Sequence, residues 1–590
     1  MMFMEQNEKL HTLRHSLAHL LAAAVLEMYP DAKNTIGPSI DDGFYYDFEF
    51  SSPISDKELP KIEKKMREIL KSWKMFESEE KTKEEAKNYF SKNEYKDELI
   101  EEIASKGEKI TFYTCGKFID LCRGGHLDNP KEEIAEGSFK LDRVAGAYWR
   151  GDEKNKMLTR IYGLAFETKE QLEEYINMRE EAKKRDHKKL GRDLDLFMFS
   201  ETVGKGLPLF THKGATIRRE LERFIVDEEI KRGYLHVITP DIAKLDLYKK
   251  SGHYPHYKDS MYAPIKIDED EFMLRPMTCP HHFELYLGKP HSYRDLPMRI
   301  GELAKLYRYE QSGELMGLIR LRTFCLADAH IICASEQQAM EEIAGALDLI
   351  EYITSVFGLK LDVDYRYRLS LGDIENTDKY YKNDEAWVKG EELLRELMKN
   401  RKSEFEEAKG EAAFYGPKID IQMKNVSGKE DTAFTVQYDF CMPERFDLAY
   451  TGEDGKSHRA FVVHRSSIGC IERLMAFLIE KYAGAFPTWL SPIQVAIVPV
   501  RENHEEEAKK ISDILKSSGI RVETYSADRN SLGKRIHEAK SMKTPYVIVL
   551  GDKEVESGKL TIENRDGTKT ENTSSEEFIS NLKKEIEAKS

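Results

Sequence analysis

Apolar positions recur at helical spacing over residues 11–28, the first strong pattern along the chain. A strand-like run at 43–50 follows, then a charged helical stretch at 56–74. The charged run 77–102 predicts a solvated helix. Residues 168–189 carry many charges and neither Gly nor Pro, which predicts a linker helix with Thr168 as its N-cap. That helix leads into Asp193-Leu194-Asp195-Leu196-Phe197. A new start comes at Pro487-Thr488-Trp489-Leu490-Ser491-Pro492. Beyond it, an apolar run (495–500), a polar helix (504–518), a strand (522–525), a helix (531–540) and a second apolar run (546–550) alternate. Such alternation indicates a small α/β domain. The pattern predicts a multidomain chain of α/β and α+β parts: 1–165, a helical linker 166–192, a main body 193–488, and 489–590. Neither an internal repeat nor a low-complexity tract interrupts it.

Composition narrows this reading. With 590 residues the chain has room for three or four domains, and 40% hydrophobic residues can fill their cores. The formal net charge of −15 argues against a broad basic face, so any RNA must meet local patches. Seven scattered cysteines do not make a disulfide framework. No basic-then-apolar leader and no membrane-length apolar run is apparent, so a reducing cytoplasm and no membrane association are expected.

Three distant segments carry candidate chemistry. One is Tyr307-Arg308-Tyr309-Glu310, running on to Arg320-Leu321-Arg322-Thr323-Phe324. Another is Gly469-Cys470-Ile471-Glu472-Arg473, followed by an apolar stretch. The third is Arg232-Gly233-Tyr234, leading to Pro240. An arginine can pair bidentately with a phosphate or carboxylate. A carboxylate two residues on points the same way if the segment is a strand. Taken singly, an R-x-E is usually a solvated strand face. Together and in this order the segments resemble motifs 1, 2 and 3 of the class II aminoacyl-tRNA synthetases.

Three soft ligands adjoin these segments: Cys279, His330 and His464. One thiolate and two imidazoles suit zinc and leave a fourth position for substrate. A lone Cys or His is more often a core or surface residue; here the surroundings resemble the threonyl-tRNA synthetases. The resemblance spans nearly the whole chain and includes Ala413-Phe414-Tyr415-Gly416-Pro417-Lys418 and Thr435-Val436-Gln437. It implies a class II antiparallel-sheet catalytic domain, an N-terminal α+β editing domain and a C-terminal α/β anticodon-binding domain. It implies L-threonine, ATP with Mg2+ and tRNA(Thr) as substrates, one Zn2+ per chain, and a homodimer through motif 1. It assigns zinc to Cys279, His330 and His464. Asp328 would accept from the threonine hydroxyl, Tyr415 would hold the amino group, and Gln437 would join them. Arg308 would bridge carboxylate and α-phosphate. Glu310 would read adenine, Phe324 would stack on it, and Arg320 and Arg473 would clamp the terminal phosphate. His253 would be the base for acyl transfer, supported by Lys418. Glu556 and Arg565 resemble anticodon-reading positions. A ubiquitin-like domain usual in bacterial members is expected to be missing ahead of His15.

A second constellation lies near the N-terminus. His15 and His19 are spaced i, i+4, and Cys122-Arg123-Gly124-Gly125-His126 adds a thiol and a third imidazole. By spacing alone this is a four-ligand zinc pattern. The surrounding residues, 118–126 and 146–152, resemble the editing domain shared by threonyl- and alanyl-tRNA synthetases, which in the threonyl family implies hydrolysis without metal. Asp120 and Lys156 are the supporting residues expected there. Rejecting valine, which lacks a required hydroxyl, is easy; serine lacks only a methyl, worth roughly 1–3 kcal/mol, so a hydrolytic second sieve is expected.

The sequence also departs from the family. Leu326 and Ala327 stand where Gln-Asp is usual, and Thr432 stands where many members carry Gln. Two other readings compete with a ligase: a non-charging RNA-binding paralogue, and a zinc-dependent aminoacyl-tRNA hydrolase with a degenerate ligase body. The intact Arg308, Glu310, Arg473 and zinc set argue against the first, and threonine-dependent pyrophosphate exchange would separate a ligase from both.

Overall fold

The computed structural model describes residues 2–589, with side chains from Glu8 onward. The chain forms two compact units, Met1–Glu180 and Glu181–Ser590.

In the first unit, the helix Met2–Met28 buries Leu13, Leu17, Leu20, Leu21 and Ala24 against Phe44 and Phe48 of the strand Gly43–Glu49. That strand is central in an antiparallel sheet with Met157–Ala165 and Phe139–Tyr148. Its aromatic residues explain the strand: they need a sheet face on which to pack. Leu17, Leu20 and Leu21 are fully enclosed, so truncating any of them costs about 2–5 kcal/mol. The run 77–102 departs from the solvated helix expected of it. Glu77–Lys81 is the outer strand of a three-stranded sheet, paired with Ile110–Cys115. Helices Lys83–Tyr89 and Glu94–Ser105 follow, each with an N-cap side chain, Thr82 and Asn93. Charge masked the strand because all of its side chains lie outward while its backbone pairs. Thr168 does cap the next helix, accepting from the Gln171 amide at 3.3 Å.

In the second unit, an eight-stranded sheet carries the main body. Its order is Leu235–His236, Met298–Tyr307, Thr323–Cys333, Phe461–Cys470, Glu430–Asp439, Lys418–Lys424, Tyr365–Leu371, Phe405–Lys409. The inner pairs are antiparallel; the two outermost pairs are parallel. One face packs into a large core with the helices Glu336–Val356 and Ile471–Lys481. The other face is the floor of a cleft.

The C-terminal part is a five-stranded sheet in which Val522–Thr524, Val495–Pro499 and Tyr546–Leu550 run parallel and two strands return antiparallel. All five residues of Val495–Pro499 are buried, because separate apolar clusters cover each face. A continuous apolar run is what such a doubly covered strand requires.

Candidate active site

The cleft floor is ordered by strand alternation. On Thr323–Cys333, Phe324, Leu326, Asp328 and His330 line the cleft, while Cys325, Ala327, Ala329 and Ile331 enter the core. His330 lies directly opposite His464, and His464 opposite Gln437. Cys279 begins the helix Cys279–Leu287 at the same end. One ligand atom from each of Cys279, His330 and His464 lies within 4.8 Å of the others, and all three residues are buried.

Each imidazole has one nitrogen already held. His464 Nε2 meets Asp439 Oδ2 at 2.6 Å, and Asp439 also accepts from the amides of Cys441 and Met442. His330 Nδ1 sits 2.8 Å from His282 Nδ1, and His282 Nε2 lies 3.2 Å from Glu302. Such carboxylate-anchored imidazoles leave the other nitrogen fixed in aim, the usual support for a metal ligand. Burial pushes the Cys279 thiol well above its ordinary value, with Asp328 and Asp439 adding to it. Burial likewise holds His330 neutral. The donor set therefore fits a soft divalent cation, whose charge would displace the thiol proton.

The other end of the cleft is cationic. Arg308 and Arg473 both face it. Burial and the neighbouring Arg473 hold the Arg308 pKa down, so an anion is favoured between them. Arg308 Cζ lies 5.2 Å from the ring of Phe324. Arg473 is fixed by Nε to Ile319 O at 3.0 Å and Nη1 to Thr432 O at 2.5 Å. Cys470 caps its helix, accepting from the Arg473 amide. Gly469 before it has φ +61°, and a Cβ there would fall 1.9 Å from Ala433 O, so only glycine fits. The strand leading into the R-x-E ends at Tyr307. Arg308 and Glu310 lie beyond it in a tight turn, with the Glu310 amide donating to Arg308 O at 3.0 Å. The expected strand geometry is thus corrected, although both residues reach the cleft. Arg320 is exposed beside the cleft.

Tyr415 stacks on His464 at 4.9 Å and donates to Gln437 Oε1 at 2.5 Å. Lys418 lines an adjoining recess with Arg308 and Glu310 and pairs with Asp420 at 2.9 Å. His253 lies beside Cys279. It is fully buried and lines neither recess; its Nδ1 is 2.8 Å from Ser251 Oγ and its Nε2 3.8 Å from Cys279 Sγ. Burial lowers its pKa to about 3.

In the first unit, His15 Nε2 is 3.0 Å from Cys122 Sγ, and Cys122 Sγ is 3.5 Å from His126 Nε2. With His19, the four offer ligand atoms within 4.8 Å of one another. Burial pushes Cys122 up to about 11 and His126 down to about 3, so the group is uncharged at neutral pH. Asp120 is enclosed beside it. Lys96 Nζ lies 2.5 Å from Asp120 Oδ1, and the Tyr46 hydroxyl donates to Oδ2 at 2.5 Å. His19 Nδ1 lies 3.6 Å from the same carboxylate. The expected lysine is corrected here: Lys156 is exposed, pairs with Glu49 and does not line the recess around the cluster. Lys96 occupies that role, its side chain only 2% exposed. It was missed because it sits in a run read as a solvated helix.

Glu556 is exposed on the short helix Asp552–Ser557. Arg565 follows the strand Leu560–Asn564 and donates Nη1 to the carbonyls of Ala485 and Phe486 at 2.8 and 2.9 Å. His282, Asp439 and Tyr46 also escaped the sequence reading. Only His282 left a signal, a doubled histidine two residues past Cys279.

Residues 262–482 match the tRNA synthetase class II core domain (G, H, P, S and T). Residues 494–585 match an anticodon binding domain, and 110–162 the threonyl and alanyl tRNA synthetase second additional domain. Among curated proteins, the threonine–tRNA ligase of Staphylococcus carnosus is 49% identical over 586 residues, covering 99% of this chain and 89% of that protein. That of Listeria monocytogenes serotype 4a (strain HCC23) is 48% identical over 584 residues, covering 98% and 90%. A crystal structure described as the RNA binding domain of threonyl-tRNA synthetase from Cryptosporidium parvum Iowa II is 33% identical. It aligns with a TM-score of 0.63, covering 68% of this chain and 98% of its own.

Proposed function

Because the chain belongs to the threonine–tRNA ligase family, we propose that it joins L-threonine to tRNA(Thr) and hydrolyses mischarged seryl-tRNA. The observation that carries this is one cleft with a Cys279–His330–His464 triad at one end and Arg308 with Arg473 at the other. Zinc held by the triad would supply a Lewis-acid template for the substrate's amino and hydroxyl groups. Asp328 accepts the threonine hydroxyl proton, and Tyr415 with Gln437 closes over the amino group. Arg308 holds the carboxylate against the α-phosphate. A carboxylate oxygen attacks the α-phosphorus, and pyrophosphate leaves as its Mg2+ complex toward Arg320 and Arg473. Phe324 stacks on adenine and Glu310 accepts from its amino group. The terminal ribose hydroxyl of tRNA then attacks the acyl carbonyl and AMP departs; Lys418 in the adjoining recess supplies charge to the tRNA end. Glu556 and the free donors of Arg565 serve the anticodon.

In the N-terminal cleft, His15, His19, Cys122 and His126 orient a water and the seryl ester without metal. Asp120 is held by Lys96 and Tyr46. Leu235 and Ile238 within residues 232–240, and Ile230 and Ile242 on either side, are exposed, and Ile238 is 96% exposed. Exposed apolar side chains grouped along this segment support a two-fold homodimer. No helix among the described residues is long and apolar enough to cross a membrane, and the cytoplasm is the proposed location. Threonine-dependent ATP–pyrophosphate exchange tests the ligase reading. Exchange absent with threonine, from a protein carrying one zinc per chain, would refute it.

A further inference from the structure

The middle of the cleft floor holds a hydroxyl without a partner. His464 faces the cleft, where it meets Tyr415 and Asp439. The next residue, Arg465, sends its guanidinium away from the cleft, where Nη1 donates to Glu229 at 2.6 Å. Ser467 also turns away from the cleft and donates to Glu229 at 2.7 Å. By alternation Ser466 faces the cleft, which it lines. Its residue is 4% exposed, and its Oγ has no hydrogen-bond partner.

Its neighbours do not supply one. In register, Ser466 lies between Asp328 on one side and Thr435 on the other. Thr435 is committed: its hydroxyl donates to Asp420 at 2.9 Å and accepts from Gln437 at 3.4 Å. Leu326, further along the Asp328 strand, offers no polar group. A buried hydroxyl left unpaired costs free energy, and native proteins rarely keep one without use.

We infer that Ser466 is a specificity residue that donates its hydroxyl proton to the side-chain hydroxyl of the bound amino acid. The inference rests on the ligase reading above. A hydroxyl has one proton and two lone pairs. The proton goes to Asp328 and one lone pair faces the metal position. Ser466 takes the other lone pair, which completes the set. Recognition of the hydroxyl then depends on the sheet floor as well as on the triad.

The test compares Ser466→Ala and Ser466→Thr with the parent full-length protein. Ser466→Ala should raise KM for threonine about five- to tenfold in pyrophosphate exchange, the weight of one neutral hydrogen bond. KM for ATP should not change. KM for serine should rise by a similar factor, while competitive inhibition by valine, which has no hydroxyl, should stay constant. Ser466→Thr keeps the Oγ and should restore part of the loss. Without ligand, Ser466→Ala should melt no lower than the parent, since an unpaired buried polar atom is removed. An unchanged KM for threonine would overturn the inference. So would a parallel rise in the KM values for threonine and ATP with a lower melting temperature, which marks a structural role. A parent with no threonine-dependent exchange removes the ligase reading and this inference together; exchange in the parent with an indifferent Ser466→Ala removes this inference alone.

Discussion

Replacing Lys96 by methionine gives the sharpest view of the N-terminal cleft. The side chains of Lys96 and Asp120 are 2% and 1% exposed, and their charged atoms lie 2.5 Å apart. Losing one partner of a buried pair leaves the other charge stranded, at a cost of about 3–5 kcal/mol. Asp120 keeps Tyr46, Asn34 and its contact with the Leu121 amide. We therefore expect the lower end, about 3 kcal/mol, a loss of more than a hundredfold in local stability. Lys156→Met is the control. Its Nζ meets Glu49 with the lysine side chain 58% exposed, so it should cost about 0–1 kcal/mol. Hydrogen exchange across the Met2–Met28 helix reads the N-terminal unit separately from the rest. Deacylation of seryl-tRNA should fall steeply in Lys96→Met and little in Lys156→Met, with threonine activation intact in both. Adding Asp120→Asn to Lys96→Met should recover much of the stability, because the stranded charge is gone, but none of the deacylation. Equal costs for Lys96→Met and Lys156→Met would refute the assignment of Lys96 as the buried partner.

Asp439→Asn should weaken zinc retention 10–100-fold under chelator competition and lower threonine activation in parallel, because it releases His464. Ile238→Asp should convert a two-fold dimer into monomers by light scattering; an unchanged mass excludes that segment as the interface. His126 has its pKa lowered to about 3 by burial, against about 6.5 unfolded. Its contribution to stability is thus complete above about pH 6.5 and drains away as pH falls toward 3. Exchange protection of the N-terminal unit should drop between pH 7 and 4, and an unchanged profile would contradict that burial.

Legibility in the sequence followed how local each cause is. The C-terminal alternation was plain because parallel strands covered on both faces read as unbroken apolar runs, as Val495–Pro499 does. A lone Cys or His would not have stood out; Cys279, His330 and His464 were legible because the segments around them resemble the threonyl-tRNA synthetases. Their anchors were not: Asp439 looks like any strand aspartate until Phe461–Cys470 pairs beside it. Lys96 was hidden for a similar reason. Its own helix is rich in charge, and only the packing of that helix near Asn34 and Tyr46 makes one lysine a buried partner. The Arg308–Glu310 pair was identified as chemistry but placed on a strand, since a turn that returns two side chains to one cleft leaves no periodic trace.

The reacting groups at the two sites differ in charge, although Lys106, Lys109 and Arg123 also line the N-terminal cleft. The main cleft gathers Arg308, Arg320 and Arg473 at one end, an arrangement that answers developing negative charge on phosphate oxygens. The N-terminal cluster is uncharged, with its one buried cation consumed by Asp120. A seryl ester carries no charge at its carbonyl, so fixed dipoles and an oriented water suit it better than free arginines. The main cleft reads a hydroxyl strongly, but it weighs a missing methyl at only about 1–3 kcal/mol, and no rearrangement of its polar floor changes that. Improving hydroxyl recognition, as at Ser466, tightens threonine and serine alike. A gain of hydroxyl selectivity in the first site therefore leaves the burden of rejecting serine wholly on the second. Disabling the N-terminal cluster should then raise mischarging without altering the ratio at which the two amino acids are activated.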